Sequence, residues 1–96
     1  MSYWVGVGDF HENMTSNVAC MWREAGCDLR ELKDTVARDA IKPLCDAINR
    51  MLADPEKYKA MNPPNGWGDY EGCVNYLRGI HDACMADPDD IISVSY

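Results

Sequence analysis

Residues 2–8 read Ser2-Tyr3-Trp4-Val5-Gly6-Val7-Gly8. Tyr3, Val5 and Val7 fall on one face, Trp4, Gly6 and Gly8 on the other. That is the period of two expected of a half-buried strand. At the far end, Ile91-Ile92-Ser93-Val94-Ser95-Tyr96 has the same alternation, with Ile92, Val94 and Tyr96 sharing a face. Between these segments the apolar period is helical. A two-stranded sheet is marginal in water and needs a helical layer to rest on. The chain is therefore read as α+β, with two terminal strands forming a small antiparallel sheet covered by three to four helices. Such a sheet keeps an exposed edge. Pairing with a second copy would hide it, so a homo-oligomer is expected.

Working inward, residues 9–17 read as a polar connection that ends in caps, since Thr15, Ser16 or Asn17 can accept from an orphan amide of a first helical turn. Val18, Met21, Trp22 and Ala25 follow at helical spacing, and Gly26 supplies a stop. Residues 27–34 form a link, with Leu29 and Leu32 tacked onto the core. A second helix is expected from Asp34 or Thr35 to Ala53, along Val36, Ala40, Leu44, Ala47, Ile48, Met51 and Leu52. Pro43 inside it predicts a kink or a restart. Asp54-Pro55-Glu56 is a fresh start, cap then proline then acid. Asn62-Pro63-Pro64-Asn65-Gly66-Trp67-Gly68 is too rich in proline and glycine for regular structure. Asp69 then caps a third long helix, whose buried stripe is Tyr70, Cys73, Leu77, Ile80 and Cys84.

The 96 residues make a single domain, 1–96, with 47% hydrophobic and 26% charged residues. No apolar run is long enough to span a membrane. Without a basic and apolar leader in the first 20 residues, a cytoplasmic setting is expected. The net charge of −7 is uneven. Residues 60–96 carry Arg78 against Asp69, Glu71, Asp82, Asp87, Asp89 and Asp90. A surface of that sign repels phosphate backbones, so no direct nucleic-acid binding is expected. It can steer a basic partner. Five cysteines, Cys20, Cys27, Cys45, Cys73 and Cys84, are an odd number with no C-x-x-C pair. They are expected to be reduced, buried and metal-free.

No residues meet the demands of a known chemistry. His11 with Asp9, Glu12 or Cys20 matches no metal-ligand spacing. His81 and Cys84 stand three apart on one helix, but nothing supplies an orienting acid or an oxyanion hole, and Asp82 gives His81 a simpler partner. Phosphate loops, nucleophile elbows and zinc motifs are missing, so no catalytic residue and no cofactor are expected. Gly66-Trp67-Gly68 could offer amides to an anion, but Asp69 and Glu71 oppose one. The segment 62–72 has two readings. Its prolines and glycines shape a turn, Asp69 caps and Trp67 covers the core end. Alternatively Asn65, Trp67 and Tyr70 line a recognition surface, tryptophan and tyrosine being the usual carriers of interface energy.

Asn17-Val18-x-x-Met21-Trp22, Ala53-Asp54-Pro55-Glu56-x-Tyr58 and Asn62-Pro63-x-Asn65-Gly66-Trp67-Gly68-x-Tyr70-Glu71-Gly72 resemble small acidic proteins encoded by bacteriophages and actinobacterial genomes. The likeness runs over most of the chain from Asn17 onward. The chain departs from it at Cys20 and Cys27 and in a longer N-terminal segment with His11. The resemblance implies a setting in a host cell rather than a reaction. It leads to the expectation of a non-enzymatic phage or mobile-element accessory protein that inhibits a host defence protein through an acidic, aromatic surface. The alternative is a protein that sequesters a nucleotide-like signal between aromatic rings such as Trp22 or Trp67. The candidate binding residues are Asn17, Trp22, Asn65, Trp67, Tyr70 and Glu71.

Overall fold

The computed structural model describes all residues, 1–96. Strand β1 (Ser2–Val7) lies at the centre of a three-stranded antiparallel sheet, between β2 (Phe10–Thr15) and β3 (Ser93–Ser95). The two terminal strands do pair, with Val5 opposite Val94. The sheet has a third member, however: residues 10–15, expected to be a polar connection, form a hairpin with β1. Gly8 and Asp9 are the whole turn, and Gly8 has a φ of +56°. A two-residue hairpin needs a left-handed residue there, which glycine supplies without strain.

Helices α1 (Ala19–Glu24), α2 (Ala37–Ala53), α3 (Pro55–Lys59) and α4 (Tyr70–Ala86) follow, with short 3-10 turns at Ser16–Val18 and Leu29–Leu32. Tyr3, Val5, Val7 and Val94 bury against this layer, together with Leu29 and Leu32 and the apolar stripes of the helices. Helix α4 runs beneath β2, and a glycine permits the approach: a Cβ on Gly79 would sit 2.8 Å from the Phe10 ring. No helix is long and apolar enough to cross a membrane.

Helix α2 departs from expectation at two points. It begins at Ala37 rather than Asp34 or Thr35, and Val36 offers no side-chain cap. Its first amides are satisfied from across the fold: Ala37 N donates to Asp90 O at 2.8 Å and Arg38 N to Pro88 O at 3.0 Å. The helix also passes through Pro43 without a restart. Pro43 is exposed, so the carbonyl of Asp39, which loses its donor, can turn to water.

Helix α4 starts where the sequence places it. Asp69 accepts from Gly72 N at 2.7 Å. Asp69→Ala is expected to lower stability by about 1 kcal/mol, read by urea denaturation, because that amide loses its acceptor. An unchanged midpoint would show that the cap is dispensable.

Candidate functional site

The loop of residues 62–68 is braced by side-chain amides. Asn65 Oδ1 accepts from Trp67 N at 2.9 Å, and Asn62 Oδ1 accepts from Tyr70 N at 2.9 Å. Gly66 and Gly68 have φ of +76° and +95°. Gly68 also presses against the chain leaving β2, where a Cβ would meet Thr15 at 2.7 Å and Val18 at 2.9 Å. The result is a fixed loop that presents Trp67, 70% exposed. The tryptophan does not cover the core end. That role falls to Tyr70, 6% exposed, whose hydroxyl donates to Met51 O at 2.8 Å. Lys59 Nζ lies 5.7 Å from the centre of the Tyr70 ring and 3.9 Å from Glu71 Oε1.

The other candidates separate. Asn65, Glu71 and Asn17 are exposed, and Asn17 lies between Thr15 and Val18, the residues that touch the loop at Gly68. Trp22 is fully buried. Its ring meets Tyr3 edge-on at 4.9 Å and lies 6.3 Å from Tyr76. Neither face is open to a ligand.

Five of the six acidic residues of the C-terminal third fall into two groups: Asp69 and Glu71 stand at the start of α4, and Asp87, Asp89 and Asp90 follow its end; Asp82 stands on the helix beside His81. A helix of 17 residues puts roughly 25 Å between the two groups. The distal acids and the exposed tryptophan are therefore not one patch. The distal group is bonded into the fold. Asp90 Oδ2 accepts from Gly8 N at 2.6 Å, Asp89 pairs with Arg38, and the carbonyls of Pro88 and Asp90 cap α2. With Asp9 these aspartates ring an open depression of about 650 Å³. A second depression, about 380 Å³, lies between α2 and α4 and is lined by Cys45, Ile48, Arg78, His81 and Asp82.

Sequence reasoning passed over Trp4. It is 42% exposed on the sheet face away from the helices, and its ring lies 5.1 Å from that of His11. The signal was available, since the period of two already places Trp4 opposite Tyr3 and Val5. His11 therefore has an aromatic neighbour, and no cluster of three or more His, Cys, Asp or Glu side chains converges to hold a metal ion. His81 Nδ1 faces Asp82 Oδ1 at 3.2 Å.

All five cysteines are free thiols, but only Cys27, Cys73 and Cys84 are buried; Cys20 is exposed and Cys45 half-buried. This corrects the expectation that all five are buried, for Cys20 and Cys45. The Cys20 side chain points outward from the first turn of α1, away from the Met21–Trp22 stripe. Burial pushes the thiols of Cys27 and Cys84 up to about 11 and that of Cys73 to about 12. At mild pH, a thiol reagent is expected to modify Cys20 and Cys45 rapidly and the other three only on unfolding. Fast reaction of all five would contradict the burial. The sign of the pH dependence follows. These groups hold their protons more tightly folded than unfolded, so their contribution is complete below the unfolded value of 9.0 and is lost as pH rises through the folded ones. Tyr70 and Tyr76, also raised by burial, act in the same direction higher up. Melting temperature is expected to fall progressively above pH 9.0. A flat alkaline limb would show that the thiols are not coupled to folding.

Comparison of the chain with protein-family models, curated proteins and solved structures found no match in any of the three.

Proposed function

We propose that the protein is a non-enzymatic binding protein that acts by occupying another protein, with Trp67 as its anchor. The observation that carries this reading is a tryptophan 70% exposed on a loop held by two asparagine amides. A large aromatic ring in water on a rigid mount loses little freedom when it docks, and tryptophan dominates interface energetics. Asn65 and Glu71 flank it, and Asn17 lies beyond Gly68. The net charge of −7 favours a basic partner through long-range attraction. The resemblance to phage and actinobacterial proteins supports a host protein in the cytoplasm, a defence protein among them, as the one occupied. The nucleotide-sequestering alternative has no comparable support, because Trp22 is enclosed and neither surface depression includes Trp67.

The test is co-purification from host lysate with the wild-type chain and with Trp67→Ala, followed by titration of the captured protein at increasing salt. Capture is expected with wild type only, and the affinity should weaken as salt screens the attraction. Equal capture by both forms, or a thermal shift with nucleotides and none with the captured protein, would overturn the reading.

A further inference from the structure

Strand β2 is an outer strand with no further strand beside it, and the loop at Gly68 meets it at its Thr15 end. The carbonyl of Gly6 accepts from Ser93 Oγ at 3.4 Å and so points toward β3. Backbone groups alternate in direction along a strand, so those of Tyr3, Val5 and Val7 point toward β2. Their partners Met14, Glu12 and Phe10 point back. The N–H and C=O groups of His11, Asn13 and Thr15 therefore face away from the sheet. Those of His11 and Asn13 take no part in the main-chain bonds made by loops and turns elsewhere in the fold, whereas the Thr15 carbonyl begins the 3-10 turn. The opposite edge is covered where it begins: Ile92 N donates to Thr35 O and Asp34 N to Ile92 O, both at 2.9 Å, and Val36 bridges Ile91. β2 also lacks lysine and proline, two residues that commonly guard an edge, and its only carboxylate is Glu12.

We propose that β2 joins two copies of this chain into one continuous antiparallel sheet, three strands from each copy. The strand itself argues for a second copy. A two-fold axis through the sheet keeps both helical layers on one side, so opposed residues must come from the same face. His11, Asn13 and Thr15 form one face, Phe10, Glu12 and Met14 the other. Two registers satisfy this while pairing five of the six residues. One, centred on Glu12, sets carboxylate against carboxylate, which is destabilising at the ~5 Å separation of paired residues. The other, centred on Asn13, sets Asn13 against Asn13, His11 against Thr15 and Glu12 against Met14. It opposes no like charges: Asn13 donates to and accepts from its own copy, and Thr15 N donates to His11 O, the Thr15 carbonyl already serving the 3-10 turn. The sequence of β2 thus pairs with itself without conflict.

Charge sets the conditions. Each copy carries −7, so the copies repel at a distance and salt relieves the repulsion. Self-association is expected to tighten with salt, the opposite of binding to a basic partner, and to be indifferent to Trp67→Ala. Sedimentation at tens of micromolar should give a dimer mass, with a smaller dissociation constant at about 0.5 M than at about 0.05 M salt. Asn13→Pro removes the central outward N–H while leaving the ladder to β1, so it should give a folded monomer whose melting temperature no longer rises with protein concentration, as that of the dimer does. In a Cys20→Ser background, Asn13→Cys should cross-link to its own copy under mild oxidation, since residues paired on a two-fold lie about 5.5 Å apart, within disulfide reach. Glu12→Cys should not. A monomer mass for the wild type at every salt concentration would overturn the proposal. So would a dimer that survives Asn13→Pro, or cross-linking through residue 12 instead of 13. If the proline variant fails to fold, the cysteine pair decides alone.

Discussion

Trp22→Ala is expected to destabilise the protein by about 3–5 kcal/mol, the range found when a buried tryptophan leaves a cavity. Domains of this size have a total of roughly 5–15 kcal/mol, so the variant should sit near its folding threshold and express poorly. The cost is high because Trp22 is fully enclosed where α1 meets the sheet and α4, edge-on to Tyr3 and beside Tyr76. Its indole Nε1 is buried with no acceptor, so the ring is held there by its volume and not by its polar end. Trp22→Phe, which removes that stranded donor, should therefore cost clearly less than Trp22→Ala. Urea denaturation of the pair reads both effects. A loss under about 1 kcal/mol for the alanine variant would mean that the core closes over the gap.

Trp67→Ala should behave in the opposite way. Its side chain is 70% in water, so the melting temperature should move by no more than a few degrees. Binding to the partner should weaken by about 2–4 kcal/mol, on the order of a hundredfold in Kd. The two measurements belong on one sample. A stable variant that binds as well as wild type would remove the anchor from the proposed function. A variant that unfolds would place Trp67 in the core, against its exposure.

The contrast between the two tryptophans shows what was legible. Val18, Met21, Trp22 and Ala25 fall on one helical face, and the structure buries all four, so the enclosure of Trp22 was readable from spacing alone. Tyr70 belonged both to a buried stripe and to a candidate surface; its hydroxyl reaching Met51 settles it inside. Trp67 sits in a glycine-rich loop where no periodicity operates, and its exposure needed coordinates. β2 was missed because only Phe10 and Met14 are apolar, with Glu12 between them on the helix side. The stronger signal was the Gly8-Asp9 dipeptide after an alternating run, a common hairpin turn. The start of α2 was not locally encoded, since its caps are carbonyls some 50 residues away in the chain. Nor does closeness in sequence mean closeness in space: Asp69 and Glu71 are parted from Asp87, Asp89 and Asp90 by the whole length of α4.

The central position of β1 has a consequence for the order in which the molecule is made. β1 leaves the ribosome ahead of the other elements of this fold and is the last of them to be completed. Its hairpin with β2 can form at once, but its other neighbour is β3, and the Gly6–Ser93 bond spans 87 positions. Gly8 waits likewise for Asp90, 82 positions on, and the first turn of α2 waits for the same segment to supply Pro88 and Asp90. The nascent chain must therefore carry Val5 and Val7 without their β3 neighbours, and a helix start without its caps, until nearly all 96 residues are synthesised. During that interval both edges of the hairpin are open, and neighbouring chains on one messenger are the strands nearest to hand. Closure by the C-terminal strand ends the exposure on one side only; β2 stays open.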